Sequence, residues 1–169
     1  MASASSHTFH LPRFRSTPAR MSGARVVTEI TRYAGAISIL AVGAIHAQQY
    51  YDAYFSSVPT IGTLFLLSFV GAGIVGVALL APVRLLGHLA GDGILVASAL
   101  GAIGIAVGTF VSLLISEYTP LFGFMESGYR LAIILTLVFD VLTTLFLGAF
   151  VALVGPGLAR TMVTARRGR

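Results

Sequence analysis

Residues 129–153 read YRLAIILTLVFDVLTTLFLGAFVAL, and this stretch decides the fold. After Arg130 every residue for more than two turns on either side of the centre is apolar, hydroxylated or glycine, with one exception, Asp140. A helix rising 1.5 Å per residue crosses a hydrocarbon core of about 30 Å with roughly twenty residues. A carboxylate at the middle of such a span costs about 2.5–3.5 kcal/mol on insertion scales, so its helix face turns toward protein rather than lipid. Thr136, Thr144 and Gly148 stand at i−4, i+4 and i+8 from Asp140, which predicts a narrow polar and small face through it.

The rest of the chain supplies what that face packs against. Of 169 residues, 56% are hydrophobic and only 10% charged, and the mean hydropathy is +0.91. Soluble domains carry about 25% charged residues, so an aqueous globule is excluded. There is no cysteine, hence no disulfide framework, thiolate nucleophile or Cys-ligated metal centre. All eleven Lys+Arg positions are arginine.

Three further apolar runs complete an all-α membrane protein of four transmembrane helices in a compact bundle. The expected spans are 31–51, 59–81, 93–115 and 129–153, within a transmembrane domain of residues 22–157. Ser22 is placed to cap the first helix, with Arg25 and Glu29 as an i,i+4 pair on it. Gly35, Gly43 and Ala47 offer that helix a small-residue contact surface. Pro59 suits a helix start and Pro82 a helix end. The connection from 82 to 91 reads as a turn or a brief interfacial helix, and Asp92 as the cap of the third span. Gly71, Gly73 and Gly76 in the second span and Gly101, Gly104 and Gly108 in the third are expected to bring helices together; Gly104–Gly108 is a G-x-x-x-G spacing, a weak signal for helix pairing. Thr109, Ser112 and Ser116 form a mild polar stripe beside them. Gly155, Pro156 and Gly157 are expected to stop the fourth helix.

Arginine placement orients the spans. The N-terminal segment and first turn hold five, the 82–91 connection one and the C-terminal segment four. The positive-inside rule then puts both termini and the middle connection in the cytoplasm and the other two connections outside. The expected location is the bacterial inner (plasma) membrane, with the lipid bilayer as solvent. Residues 1–21 read as a disordered basic tail and 158–169 as a second basic tail. The first tail, rich in Arg and Ser and free of acid, also fits an organelle transit peptide, or an over-long start before Met21. A basic end beside a membrane needs no nucleic acid to explain it.

Two stretches, HAQQYYDAYFSSVPTIGTLFLLSFVGAG and PLFGFMESGYR, resemble a group of small, mostly uncharacterised four-span membrane proteins common in actinobacteria. His46, Pro59, Gly62, Phe122, Gly123, Glu126 and Gly128 carry the likeness, which spans about residues 30–153. The resemblance implies the four-span fold and no particular chemistry.

The candidate functional residues follow from depth and polarity. Asp140 suits either a proton or cation relay, or a protonated carboxyl bonded to Thr or Ser across a helix interface and serving assembly alone. His46 is the one histidine inside a span, since His88 lies in the middle connection and His7 and His10 in the tail; a bis-histidine heme within one chain is therefore not expected. Counted from the same ends, His46 and Asp140 differ in depth by about 7 Å, which leaves two readings of His46, a histidine bonded to Gln or Tyr in the interface or one member of a proton-transfer pair with Asp140. Glu117, Glu126 and Asp52 share one face and form a weak candidate for a divalent cation. No metal, cofactor or catalytic set is expected: there is no Rossmann fingerprint, P-loop, H-E-x-x-H or G-x-S-x-G. The expectation is a non-enzymatic accessory or assembly subunit, as a homo-oligomer or part of a larger membrane complex. The alternative is a small transporter or proton-coupled permease working as a dimer around Asp140, and third a membrane-embedded enzyme or redox subunit.

Overall fold

The computed structural model describes residues 23–123, 125 and 130–167. Four long helices carry the chain: α1 (Gly23–Asp52), α2 (Pro59–Leu80), α3 (His88–Tyr118) and α4 (Leu131–Arg167). Short 3-10 turns, Phe55–Ser57 and Val83–Leu86, join α1 to α2 and α2 to α3. All four helices are long and apolar enough to cross a membrane. Large apolar side chains such as Ile37, Leu67, Ile74 and Leu145 are more than 60% exposed, a belt that only lipid or another apolar surface can cover. The protein is an integral membrane protein built as a four-helix bundle.

The helices stand in a ring, each against its sequence neighbours, with α4 closing onto α1 and α1 diagonal to α3. The α2–α3 interface is the thinnest of the four. Half of the most apolar part of α1 is buried, against about a fifth for each other helix. That explains why α1 can carry buried Arg32, Ser38 and His46: it faces protein more than lipid. Small residues let its neighbours approach. A Cβ on Gly43 would fall 2.9 Å from the Ala72 Cβ of α2, one on Gly76 would fall 2.6 Å from Leu40, and one on Gly35 would collide with Leu147 of α4.

The buried core is Ala36, Ile39 and Val42 of α1, Ala72 and Leu79 of α2, Leu95, Ala99 and Ala102 of α3, and Leu147 and Phe150 of α4. Every one of these lies in the half of the bundle nearer Arg84. The same end is pinned by charge. Arg84 bonds Asp92 at 2.8 Å and also Glu29, and Glu29 binds Arg32 at 2.9 Å. Burial opposes the Arg84 charge, but the bonds to Asp92 and Glu29 outweigh it and hold this guanidinium above its ordinary value.

Three local expectations are corrected. Glu29 pairs with Arg32 and Arg84 rather than with Arg25, because these reach it from the packed side of α1. Asp92 does not cap α3. The helix begins at His88, after Gly87 turns the chain at φ 100° and ψ 149°, a region open in practice to glycine alone, and the Asp92 carboxylate is left for Arg84. Finally, α4 does not stop at residues 155–157. Pro156 lies inside the helix, which runs on to Arg167. The proline removes one backbone bond, while Leu158, Ala159, Arg160 and Met162 favour helix, and the Thr161 and Thr164 hydroxyls bond back to Gly157 and Arg160 carbonyls. Pro59 and Pro82 bound α2 as expected, with Ala81 extended before the second proline. The cap at Ser22 and the N-terminal tail lie outside the described residues.

Candidate functional site

Opposite the pinned end the bundle opens. The half nearer Phe55 holds a cavity of about 400 Å3 lined from all four helices, within the 300–1,000 Å3 range of small-molecule sites. It runs along α3 from Ser116 down to Gly104, a depth of about 18 Å at helical rise. Gly104, Gly108 and Ser112 of α3 and Leu64 and Leu67 of α2 line it and are exposed, so it opens sideways where α2 and α3 part. A Cβ on Gly71 would fall 3.1 Å from Ile105, and one on Gly101 3.4 Å from Val75, across that interface. Gly104 and Gly108 do not seat a helix of this chain: a Cβ on either meets nothing within 4 Å. Their missing side chains are part of the empty space.

One wall is polar. Thr109, Ser112 and Ser116 follow one another along α3 on the cavity side, with Thr136 of α4 and His46 and Gln49 of α1. Several of these spend their proton on their own helix. Ser116 donates to the Leu113 carbonyl at 2.8 Å and Thr136 to Ala132 at 2.9 Å, as hydroxyls in helices do. His46 Nδ1 is 2.8 Å from the Val42 carbonyl, so it carries the hydrogen, and Nε2 is left as an acceptor. The His46 ring lies 5.0 Å from that of Phe65, which lies 4.7 Å from Phe55, making a ring-lined wall across from the hydroxyls.

Asp140 stands behind this wall. It is 1% exposed, and its Oδ2 lies 2.9 Å from Thr109 Oγ1 across the α3–α4 interface. The same hydroxyl is 3.0 Å from the Ile105 and Ala106 carbonyls. Asp140 Oδ1 is buried with no partner among the described residues, as is Thr143 Oγ1. On its far side Asp140 floors a small dent with Val107, Phe110, Val141, Thr144 and Leu145.

Asp140 faces protein, but the inward stripe of α4 differs from the expected one. It runs through Ile133, Thr136, Asp140, Thr143, Leu147 and Phe150. Thr144 and Gly148 are half-buried beside it, and Thr144 bonds the Asp140 carbonyl at 2.9 Å. His46 and Asp140 make no direct bond: His46 is on the cavity, Asp140 is behind Thr109. Of the candidate cation ligands, Glu117 lies in the last turn of α3 with Oε1 buried and unpartnered among the described residues; Glu126 lies outside them. No three His, Asp or Glu gather in ligand range among the described residues.

Compared with protein-family models, with characterised proteins and with solved structures, the chain matches none.

Proposed function

We propose that this integral membrane protein is a small, non-enzymatic transporter or permease in which the cavity takes a solute and Asp140 takes a proton. One observation carries the reading, the position of Thr109. Its hydroxyl lines the cavity and touches Asp140, with two backbone carbonyls at the same range. A hydroxyl has one proton to give. Donated to Asp140, it serves an ionised carboxylate. Donated to Ile105 or Ala106, it leaves its oxygen to accept from a protonated one. The same geometry therefore suits both states of a group that loads and unloads a proton.

Arginine placement supports both termini in the cytoplasm of a bacterial plasma membrane, which turns the open half of the bundle outward and the pinned half inward. Membership in the actinobacterial four-span group belongs with this proposal; His46, on the cavity, and Pro59 and Gly62, at the start of α2, sit at that open end.

Asp140→Asn tests the reading. The amide oxygen still accepts from Thr109, so the variant should fold, and it cannot ionise. In vesicles it should lose pH-driven flux; D140N flux equal to wild type removes the relay. A second reading, an accessory subunit or homo-oligomer, is favoured by the exposed Gly104–Gly108 face, which a helix of a partner would fit. A wild-type oligomer in mild detergent that falls to monomer on Gly104→Leu supports it.

A further inference from the structure

We propose that the cavity binds an uncharged, membrane-dissolved lipid whose head is an aromatic ring bearing a free hydroxyl, of the phenol or quinol type. This rests on reading the cavity as the site, though not on proton coupling at Asp140.

Three features of the wall set the class. First, it carries several acceptors, beside an Arg130 guanidinium that is already engaged. Ser116 and Thr136 have donated to their own carbonyls, and His46, with Nδ1 held by Val42, offers Nε2 as a lone pair. Such a wall is answered by a ligand that donates. Second, among the described residues no carboxylate lines it; the acid behind it, Asp140, is already met by Thr109. An ammonium ligand would find no counter-charge among those residues and would meet the Arg130 cation, so the donor is a neutral hydroxyl. Third, His46, Phe65 and Phe55 form a row of rings with centroids 4.7–5.0 Å apart. A planar head packs on such a row at offset or edge-on geometry and gains more than an acyl chain does. The sideways opening between α2 and α3 gives a lipid-dissolved molecule its way in, and a volume of about 400 Å3 holds a ring head with the start of its tail.

The test is direct binding to the purified full chain in nanodiscs, by equilibrium partition of a labelled phenol carrying a short isoprenoid tail. Its O-methyl ether removes only the donor, and an isoprenoid alcohol of similar length removes only the ring. The phenol should saturate at one site per chain. The ether should bind about three- to tenfold more weakly, the scale of one neutral hydrogen bond, and so should the phenol on His46→Phe, which keeps the ring and loses Nε2. Gly108→Leu, whose side chain enters open space, should abolish binding while Gly73→Leu, equally uncrowded but off the cavity, should not. Ether or alcohol binding equal to the phenol on wild-type protein overturns the ligand class, whatever the variants do; non-saturable partition overturns it too. Saturable phenol binding with no proton flux would remove the coupling at Asp140 and leave this site standing.

Discussion

The Thr109–Asp140 contact predicts an asymmetry that ordinary pairwise thinking does not. Replace Thr109 by Val, nearly equal in shape. Asp140 Oδ2 loses its partner at 2.9 Å, and since Oδ1 already has none among the described residues, the carboxyl is left without a partner among them. An orphaned buried acceptor costs about 1–3 kcal/mol. Now replace Asp140 by Leu instead. Thr109 keeps the Ile105 and Ala106 carbonyls at 3.0 Å, so no donor is stranded, and the orphan Oδ1 disappears with the acid. The loss should stay near the average of about 0.6 kcal/mol for interhelical polar bonds in membranes. The double variant has neither orphan and should resemble Asp140→Leu alone. The expected order is therefore T109V least stable, with D140L rescuing it by about 1 kcal/mol or more. Reversible unfolding in mixed micelles, followed by helical circular dichroism, reads all three. If D140L proves the worse single change, or the two losses simply add, the orphan argument is wrong.

Three further outcomes follow from the pinned end and the spans. Glu29→Ala should cost about 2–3 kcal/mol in the same unfolding assay, below the usual 3–5 for a broken buried pair because Glu29 is partly exposed, since it strands buried Arg32; Asp92→Asn, which leaves Arg84 its bond to Glu29, should cost under about 1 kcal/mol. Gly91→Ala should destabilise strongly, because its Cβ would fall 2.6 Å from the Arg84 Cα in the backbone of the preceding turn, whereas Gly93→Ala meets nothing and should gain up to about 1 kcal/mol of helix propensity; similar melting of the two would refute the close approach. In a chain without cysteine, Ser57→Cys should react with an impermeant thiol reagent from outside intact cells and Leu85→Cys only after the membrane is opened; the reverse pattern would invert the topology.

Much of this architecture is legible in the residues, and the misses have physical causes. Apolar runs as long as those of α2 and α4 leave little choice but a span, and Pro59 and Pro82 mark the two ends of α2, the first because its missing N–H costs nothing at a helix start and the second because proline restricts the residue before it. The Gly-Pro-Gly run at 155–157 reads locally as a stop, yet the lost bond is a single one and the residues beyond it favour helix. At Asp140 the depth and inward direction are readable, and so is a hydroxyl partner in kind. Which of Thr143 and Thr144 turns inward is not, because i+3 and i+4 flank the same face and packing chooses between them. The cavity was hidden for a related reason. A G-x-x-x-G spacing states that one helix face is small; whether a neighbour fills the space depends on how far α2 and α3 stand apart, which no residue pattern along α3 records.

The length of α4 has a practical side. At helical rise its residues extend for about 55 Å, well past the hydrocarbon thickness it has to cross. Its far portion is therefore a stiff post continuous with a packed helix rather than a tether. A soluble domain grafted onto Arg167 in unbroken helical register would turn with the bundle instead of swinging from it. Such a graft would give particle images of this 17.7 kDa chain a fixed landmark for alignment, and a fluorophore on the post would report rotations of α4 against the other three helices.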